Sequence, residues 1–564
     1  MQFQLGTSLP PGDPHGVSVS LPLWQDTVGW AYRDEKVLQK LNTGYPRFFV
    51  PRIVRVLAQQ VVKHVLKYED MTSTTNVENI AELDALLVPG KSMAMVCQQH
   101  LRLTSGDDYF GAFVIDHSGN LKSLETHVGE GGDGTSEMFA VIFKGSSSKG
   151  EPKALWQHTG YGISSRCASY WLSTATWVEV SHQPDVDMPA KNSSVEAKEK
   201  LRARIAGLLC SETHTVSNED VWLFHTGMSA IAYSAHLVSG DQRTKPGIAV
   251  FGFLYVDTFK VLSHVHGFAC TLYHASDADL DQLEADLKAD PRRYEALYLE
   301  FPGNPLLASP DLTRIWKLSR DYGYAIVLDD TVGTAVNLDL IAHADIICTS
   351  LTKMFSGACN AMGGSLALNP MSKYYSRFKA KLDQVYLDTY FPPDAVIMER
   401  NSLDFSERVQ QANANSELVV KLLEKHPQVE QVYYPKGSPS QSYYDCHRRR
   451  GGGYGFLLSI LFASPASAMA FYDALEVAKG PSLGTNFTLS CAYTLLAHAR
   501  ELEWAAKYGV VEYLVRISVG IEDPEDLLAR VRKALAAANQ HRMARVLNTM
   551  GGVEVGLGGD ISEC

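Results

Sequence analysis

Long apolar runs, paired cysteines and an excess of positive charge are all missing from this sequence of 564 residues. No apolar run approaches the roughly 20 residues that a membrane helix needs, so we expect no membrane partner. The sequence holds 51 lysines and arginines against 63 aspartates and glutamates, a net charge of −12. That balance disfavours a general binder of nucleic acid. The nine cysteines include no CxxC pair, which predicts reduced, mostly buried thiols and no metal site.

Targeting signals are also missing from the N-terminal stretch MQFQLGTSLPPGDPHG. It lacks the basic and apolar regions of a secretory signal, and its scarcity of arginine disfavours a mitochondrial presequence. Apolar residues make up 45% of the sequence and charged residues 20%, as in ordinary globular proteins. We therefore expect a cytoplasmic globular protein with a large core.

The pattern of the sequence divides the chain into four parts. Residues 1–150 form an N-terminal extension domain, with a helix predicted over FVPRIVRVLAQQVVKHVLKY and strands over KSMAMVCQQHLRL and DYFGAFVID. Residues 151–400 predict a large α/β domain, and residues 401–545 predict a smaller α/β domain. Residues 546–564 are rich in glycine and predict a loose tail.

Short apolar strands alternate with helical patterns in the large domain. The candidate strands are VWLFH (221–225), GIAVFGF (247–253), ALYLEF (296–301), AIVLDD (325–330) and DIICTS (345–350). This alternation is typical of a mostly parallel sheet with helices on both faces, so the predicted fold class is α/β. Ligands of such sheets bind at the carboxyl ends of the strands. We therefore expect the functional residues at those ends.

Two of the predicted strand ends carry small or acidic residues. VWLFH leads into Gly227 and Met228, where a helix is predicted to begin. Backbone N–H groups at a helix start with little side-chain bulk can bind phosphate, although small residues also begin many helices without a ligand. AIVLDD carries Asp329, and a buried carboxylate is costly unless it is paired. A helix cap or a turn is the alternative role for this aspartate.

A third strand end, DIICTSLTK, carries Ser350, Thr352 and Lys353. A lysine in a dry pocket has a lowered pKa and becomes a nucleophilic amine. Asp329 lies 24 residues earlier, at the end of the preceding strand (353 − 329 = 24). Enzymes that use pyridoxal phosphate need a lysine for the Schiff base and a carboxylate for the pyridinium nitrogen. The sequence therefore predicts pyridoxal 5'-phosphate as the cofactor, with the two hydroxyls close to its phosphate.

With these residues in place, the sequence resembles the Cys/Met-metabolism enzymes of fold type I, which use pyridoxal phosphate. The likeness covers roughly residues 155–540. HGVSVSLPLW, NTGYPRFF and SLGTNFTLSCAYTLLAH also resemble the long fungal cystathionine γ-synthases and their specialised-metabolism relatives. The resemblance implies a large, mostly parallel-sheet domain that binds the cofactor, a smaller C-terminal α/β domain and a fungal-type N-terminal domain.

The resemblance also implies roles for individual residues. Lys353 would form the Schiff base, Asp329 would pair with the pyridinium nitrogen, and Tyr255 would stack on the pyridine ring. The implied cofactor-binding set is Lys353, Asp329, Tyr255, Gly227, Met228, Ser350, Thr352, Arg166 and Asn304. The implied substrate-binding set is Arg516, Ser482 and Asn304. An arginine fork suits the substrate's α-carboxylate.

One family motif departs from the expected pattern. Members of the family complete the phosphate site with a Tyr-Ser-Arg segment from the neighbouring subunit. Here GYGISSR supplies Ser165 and Arg166, but Ser164 occupies the position of the tyrosine. Tyr161 is the candidate substitute in the proton steps. The resemblance therefore implies a homodimer or homotetramer with an active site shared between subunits.

The implied reaction is a γ-replacement on O-acetyl-L-homoserine, which releases acetate through a vinylglycine ketimine. The default second substrate is L-cysteine, which gives L-cystathionine. The alternative is a β-keto acid such as acetoacetate, whose carbon would attack to give a 2-amino-6-oxo acid and a cyclic imine of pipecolate type. An O-acetylhomoserine sulfhydrylase and a γ-lyase are lesser alternatives. A non-catalytic binding protein is disfavoured because Lys353, Asp329, Tyr255 and Arg516 are all present.

Overall fold

The computed structural model describes residues 3–45, 48–68, 82–105, 108–145, 151–182, 185–239 and 246–550, with side chains up to residue 539. Within these ranges, none of the helices combines the length and the apolar character needed to cross a membrane. Three sheets and one short strand pair organise the chain.

The N-terminal segment, residues 3–45, packs against distant parts of the chain. It contains β1 (Ser8–Leu9), β2 (Ser18–Val19), α1 (Trp24–Ala31) and α2 (Glu35–Leu38). The backbone N–H of Leu21 donates to the carbonyl of Lys479 at 2.8 Å, and that of Val17 donates to the carbonyl of Cys359 at 2.9 Å. These bonds hold the segment beside the small domain and the loop that follows Lys353.

A four-stranded antiparallel sheet with helices on both faces follows. Its elements are α3 (Arg52–Tyr68), β3 (Leu83–Val88), α4 (Lys91–Thr104), β4 (Tyr109–Asp116), β5 (Leu121–Ser123), β6 (Glu137–Lys144), α5 (Glu151–Thr159) and α6 (Ser165–Thr174). The strand order is β3-β6-β4-β5. Helices α3 and α6 cover one face and α4 covers the other. Because both faces are buried, β6 has an unbroken apolar sequence instead of an alternating one.

The strand predicted over KSMAMVCQQHLRL is wrong, because this stretch forms helix α4. Its buried residues Met93, Ala94, Cys97 and Leu101 recur at helical spacing and face the sheet. Alanine, methionine, glutamine and leucine also favour helices. The predictions of a helix over residues 49–68 and of a strand over DYFGAFVID are confirmed as α3 and β4.

The large domain contains a seven-stranded sheet. Its elements are α7 (Lys191–Leu209), β7 (Val221–Phe224), α8 (Gly227–Val238), β8 (Gly247–Phe251), α9 (Val256–Lys260), β9 (Cys270–Tyr273), α10 (Asp277–Ala289), β10 (Tyr294–Glu300), α11 (Leu312–Tyr322), β11 (Ala325–Asp329), β12 (Ile346–Thr349), β13 (Gly364–Leu368), α12 (Tyr375–Val385) and α13 (Pro392–Asn401). The strand order is β7-β13-β12-β11-β10-β8-β9, and only β13 pairs antiparallel with its neighbours. The five predicted strands and the α/β class are confirmed; β9 and β13 were not predicted.

The small domain carries a five-stranded sheet. Its elements are α14 (Phe405–Leu423), β14 (Val429–Tyr433), α15 (Gln441–Asp445), β15 (Leu457–Phe462), α16 (Pro465–Ala474), β16 (Ala478–Lys479), β17 (Leu489–Ala492), α17 (Tyr493–His498), α18 (Leu502–Lys507), β18 (Val515–Ser518) and α19 (Pro524–Met550). One hydrophobic core joins this domain to the large one. That shared core brings β18 over the strand ends of the large sheet.

The three larger sheets occupy residues 83–144, 221–368 and 429–518, each inside one predicted domain. Helix α6 packs on the N-terminal sheet and α5 packs between α4 and helices α8 and α9, although residues 151–400 are predicted to belong to the large domain. The domain limits themselves stay a prediction. Helix α19 continues to Met550, and the rest of the predicted loose tail, residues 551–564, lies outside the described residues.

Candidate active site

A cleft of about 1040 Å³, counted with the solvent space at its mouth, lies at the carboxyl ends of the parallel strands. Ten of the twelve predicted site residues line it: Gly227, Met228, Tyr255, Asn304, Asp329, Ser350, Thr352, Lys353, Ser482 and Arg516. They meet because the register of the parallel strands pairs Glu300 with Asp329 and Asp329 with Cys348, so that these strands end at one edge.

Lys353 is the central amine of the cleft, and its side chain is buried. Its Nζ donates a hydrogen bond to the Oγ of Ser482 at 2.9 Å and lies 4.1 Å from the centre of the Tyr45 ring. Burial lowers the pKa of the Lys353 amine, and the nearby Arg516 acts in the same direction. Tyr45, whose ring lies beside the amine, opposes this effect and raises the pKa by favouring the charged form electrostatically. A lowered pKa makes a lysine a better nucleophile and base.

The loop that carries Ser482 contacts Lys353 and has an unusual backbone conformation. Ser482 has φ = 101°, a region that residues other than glycine rarely adopt. Two residues later, Gly484 packs on the lysine's own backbone, where an added Cβ would lie 2.4 Å from the Met354 nitrogen and 3.0 Å from the Lys353 carbonyl carbon. Strained backbone of this kind is concentrated at functional sites, because the surrounding structure must enforce it.

Two neighbouring strands end in carboxylates that line the cleft, of which Glu300 is buried and Asp329 is half-buried. Asp329 accepts a hydrogen bond from the backbone N–H of Thr331 at 2.9 Å. Burial raises the pKa of Asp329, and burial together with the adjacent Asp329 raises the pKa of Glu300 to about 8. Two carboxyl groups this close are stabilised by a cation placed beside them. A protonated ring nitrogen is such a cation.

Glu300 is a site residue that the sequence did not indicate. Its carboxylate accepts the backbone N–H of Tyr255 and, at 3.2 Å, the backbone N–H of Asn304. It therefore fixes two loops that carry predicted site residues. Glu300 has the same sequence signal as Asp329. It is a carboxylate near the end of an apolar strand, in the stretch ALYLEF.

The start of helix α8 forms a narrow cradle. Thr226 caps the helix, and its hydroxyl accepts the N–H of Ser229 at 3.0 Å. A Cβ added to Gly227 would lie 2.7 Å from the Cβ of Ser350, so only glycine fits against the Ser350 loop. The Thr352 hydroxyl is bonded to the backbone of Gly363 at 3.1 and 3.2 Å. Free helix N–H groups and a hydroxyl at such a helix start suit a phosphate.

Arg516, Asn304 and Ser482 form a bonded group on the other side of the cleft. Arg516 donates to the Oδ1 of Asn304 at 2.9 Å and to the carbonyl of Ser482 at 2.7 Å, and its guanidinium lies 4.8 Å from the Tyr493 ring centre. These contacts fix the guanidinium of a buried arginine in the cleft. A fixed guanidinium is well suited to hold a carboxylate.

Tyr45 is the second residue that the sequence missed. It follows α2 in the N-terminal segment and lines the cleft together with Phe48. Its stretch, NTGYPRFF, resembles the fungal enzymes but gives no signal of a site residue. Neither spacing nor periodicity connects it to Lys353, because packing of the N-terminal segment alone brings it there.

The two remaining predicted residues lie outside the cleft. Tyr161 is buried in the hydrophobic core against α4 and α8. Arg166 donates to the carbonyl of Asn360 at 2.5 Å and to Asp394 at 3.0 Å, in a neighbouring cavity. Ser164, at the position of the family tyrosine, caps helix α6 and accepts the N–H of Cys167 at 3.1 Å. The roles implied for Tyr161 and Arg166 stay predictions.

These groups fit pyridoxal 5'-phosphate. The cleft contains a buried amine for the aldehyde and a carboxylate for the ring nitrogen. It also contains a space for the phosphate at Gly227, where a larger residue would not fit. A fixed arginine remains for the carboxylate of an amino acid.

Comparisons with known proteins also indicate an enzyme that uses pyridoxal phosphate. Residues 205–536 match the family model described as Cys/Met metabolism PLP-dependent enzyme, and residues 53–164 match that of the fungal trans-sulfuration enzyme N-terminal domain. The chain is 35% identical to a cystathionine gamma-synthase of Neurospora crassa, over 95% of this chain and 99% of the relative. It is 37% identical to a cystathionine gamma-synthase-like protein of Aspergillus thermomutatus, over 94% of each chain.

Solved structures support the fold. The crystal structure of cystathionine gamma synthase from Xanthomonas oryzae pv. oryzae, in complex with aminoacrylate and cysteine, aligns with a TM-score of 0.54 at 24% identity. The alignment covers 62% of this chain and 88% of that one. The chain belongs to the Cys/Met metabolism family of enzymes that depend on pyridoxal phosphate, as a cystathionine gamma-synthase-like member with the fungal N-terminal domain.

Proposed function

We propose that this enzyme catalyses γ-replacement on O-acetyl-L-homoserine, with L-cysteine as the default second substrate. The bond between Cγ and the ester oxygen breaks and acetate leaves. A bond between Cγ and the cysteine sulfur forms, the thiol proton is released, and the product is L-cystathionine. The identity to the Neurospora crassa cystathionine gamma-synthase over nearly the whole of both chains supports this choice.

One observation supports the proposal most directly: Lys353 and Arg516 both bond to Ser482. The lysine Nζ donates to the Ser482 hydroxyl, and the guanidinium donates to the Ser482 carbonyl. An amino acid whose carboxylate binds Arg516 would therefore present its Cα close to the amine of Lys353. That is the arrangement needed to move protons at Cα and at the adjacent Cβ.

The bound cofactor supplies an electron sink for negative charge at Cα and Cβ of the substrate. Lys353 holds the cofactor and then acts as the base and acid at these carbons. Asp329 would pair with the ring nitrogen and favour its protonated form, and Tyr255 would stack on the ring. Glu300 keeps Tyr255 and Asn304 in position through their backbone N–H groups.

We propose that Tyr45 performs the proton-assisting role for which Tyr161 was the sequence candidate. Its ring lies 4.1 Å from the Lys353 amine, and the tyrosine favours the charged form of that amine. Tyr161 instead lies in the core, where burial raises the pKa of its hydroxyl. A tyrosine beside the amine can stabilise the charged form each time that Lys353 takes up a proton.

The assembly and location of the enzyme belong to the same proposal. We expect a homodimer or homotetramer in the cytoplasm, with Arg166 contributing to a neighbouring phosphate site as the family resemblance implies. Arg166 is paired with Asp394 within its own chain, so this contribution would require the pair to open. Light scattering of the purified enzyme measures the subunit number.

A second candidate reaction uses a β-keto acid such as acetoacetate. Its α-carbon loses a proton and forms the bond to Cγ as acetate leaves, which gives a 2-amino-6-oxo acid. Loss of water then closes a six-membered cyclic imine. A second cavity beside the cleft is lined by six basic side chains and two acidic ones. It favours this candidate, because a β-keto acid is a net anion whereas cysteine is a zwitterion.

Mass spectrometry of parallel reactions tests the proposal. The enzyme with pyridoxal phosphate and O-acetyl-L-homoserine receives cysteine, acetoacetate or no second substrate. We expect acetate release with a cystathionine product, a carbon–carbon adduct, or both. The variant Lys353→Ala should yield neither product. Exclusive formation of 2-oxobutanoate, with or without a second substrate, would identify a γ-lyase and contradict the proposal.

A further inference from the structure

A second, wider cavity adjoins the active-site cleft. It measures about 1700 Å³, counted with its open solvent space. Phe48, Leu496 and Ala497 line both cavities, so the two adjoin at these residues. The remaining walls come from the N-terminal segment, helices α3, α5 and α9, and the turn after α17. Segments that are distant in the sequence therefore build it together.

The cavity is strongly cationic in a chain whose net charge is −12. Six basic side chains line it: Arg33, Arg52, Arg55, Lys153, Lys260 and Arg500. The acidic side chains of its lining are Glu35 and Glu501, and Glu501 is already paired with Lys260 at 2.9 Å. Within the described ranges, Arg33, Lys153 and Arg500 make no ion pair.

The pKa of Lys153 shows how closely these charges are grouped. It projects from α5 and is half-buried. Burial, followed by repulsion from Arg33, Arg55 and Arg500, lowers its pKa to about 8. Like charges held together in this way cost free energy that a bound anion removes. A cavity that keeps these like charges together beside an active site is suited to bind an anion.

We propose that this cavity binds the carboxylate of the second substrate, an organic anion without an ammonium group, next to the active-site cleft. The proposal rests on the second candidate reaction above, in which a β-keto acid takes the place of cysteine in the γ-replacement. Arg516 is the group assigned to the amino-acid substrate, so a separate cationic site is free for the second one. An ammonium group would meet the same repulsion that depresses Lys153, which disfavours a zwitterion.

Titration calorimetry of the holoenzyme tests the site with two matched probes, acetoacetate and 3-aminobutanoate. They share a carbon skeleton, but the second carries an ammonium group. We expect acetoacetate to bind and 3-aminobutanoate to bind at least tenfold more weakly. Arg500→Gln and Lys153→Gln should each weaken acetoacetate binding about tenfold, as expected for loss of a charge-assisted contact. Arg292→Gln removes an exposed arginine outside the cavity and should leave the affinity unchanged.

Steady-state kinetics separates this proposal from the reaction it rests on. In Arg500→Gln, KM for acetoacetate should rise about tenfold while KM for O-acetyl-L-homoserine stays constant. Equal acetoacetate affinity in Arg500→Gln, Lys153→Gln and the unchanged enzyme would overturn the cavity proposal, even if acetate is released. If the binding differences are found but O-acetyl-L-homoserine releases no acetate, the anion site stands and the proposed reaction is wrong.

Discussion

The contact between Tyr45 and Lys353 leads to a sharp prediction for Tyr45→Phe. This change keeps the ring 4.1 Å from the lysine amine but removes the hydroxyl that favours the charged amine. A polar interaction with a charged group contributes about 1.5–3 kcal/mol. We therefore expect kcat/KM to fall about 10- to 100-fold, since about 1.4 kcal/mol is a factor of ten. Tyr45→Ala should lose about 1–2 kcal/mol more, because the cation–π contact also disappears.

The assay needs a signal other than turnover. In the apoprotein, the pH dependence of Lys353 labelling by an amine reagent gives the pKa of that amine directly. The hydroxyl of Tyr45 favours the charged amine, so its removal should lower this pKa further. Tyr32→Phe, at an exposed tyrosine outside the cleft, controls for loss of a hydroxyl. If the labelling profile of Tyr45→Phe is unchanged, or if Tyr161→Phe lowers kcat/KM as much, the role given to Tyr45 is wrong.

Three further predictions concern the cofactor site. Asp329→Asn should weaken pyridoxal phosphate binding about 10- to 100-fold in an absorbance titration, because a charge-assisted bond to the ring nitrogen is lost. Gly227→Ala should abolish cofactor binding, since its Cβ would lie 2.7 Å from the Cβ of Ser350; Gly132→Ala, with no atom within 4 Å, should bind normally. The third concerns Glu300, whose pKa of about 8 in the folded protein exceeds the usual value of 4.5. Its contribution to the free energy of unfolding of the apoprotein is therefore present below pH 4.5 and lost as the pH rises through about 8. Urea unfolding across that range should show the loss, and Glu300→Gln should reduce it; an unchanged slope in that variant would contradict the assignment.

The N-terminal segment gives the cleft a wall that the large and small domains do not supply. Its backbone bonds to Lys479 and Cys359 fix it at both sides of the Ser482 loop. Tyr45 and Phe48 line the cleft, and Phe48 also lines the cationic cavity. Access to the cleft therefore depends on a segment that is remote from Lys353 in the chain.

The sequence by itself determined the large-domain core and most of the site. Apolar strands alternating with helices require a parallel sheet, and the ends of parallel strands share one edge. The sequence therefore allows Gly227, Asp329 and Lys353 to be placed together, because each lies at the end of a strand or within a few residues after it. Arg516 and Ser482 came from the family resemblance.

Only the tertiary structure decided the rest. Tyr45, Glu300 and the cationic cavity depend on how separate segments pack, and packing between remote segments has no periodic signal in the sequence. Arg33, Lys153 and Arg500 each read as an ordinary surface cation, because a lysine or arginine in a polar stretch usually faces solvent. Their grouping into one cavity follows from the docking of the N-terminal segment against α5 and the turn after α17, where nonlocal contacts bring like charges together.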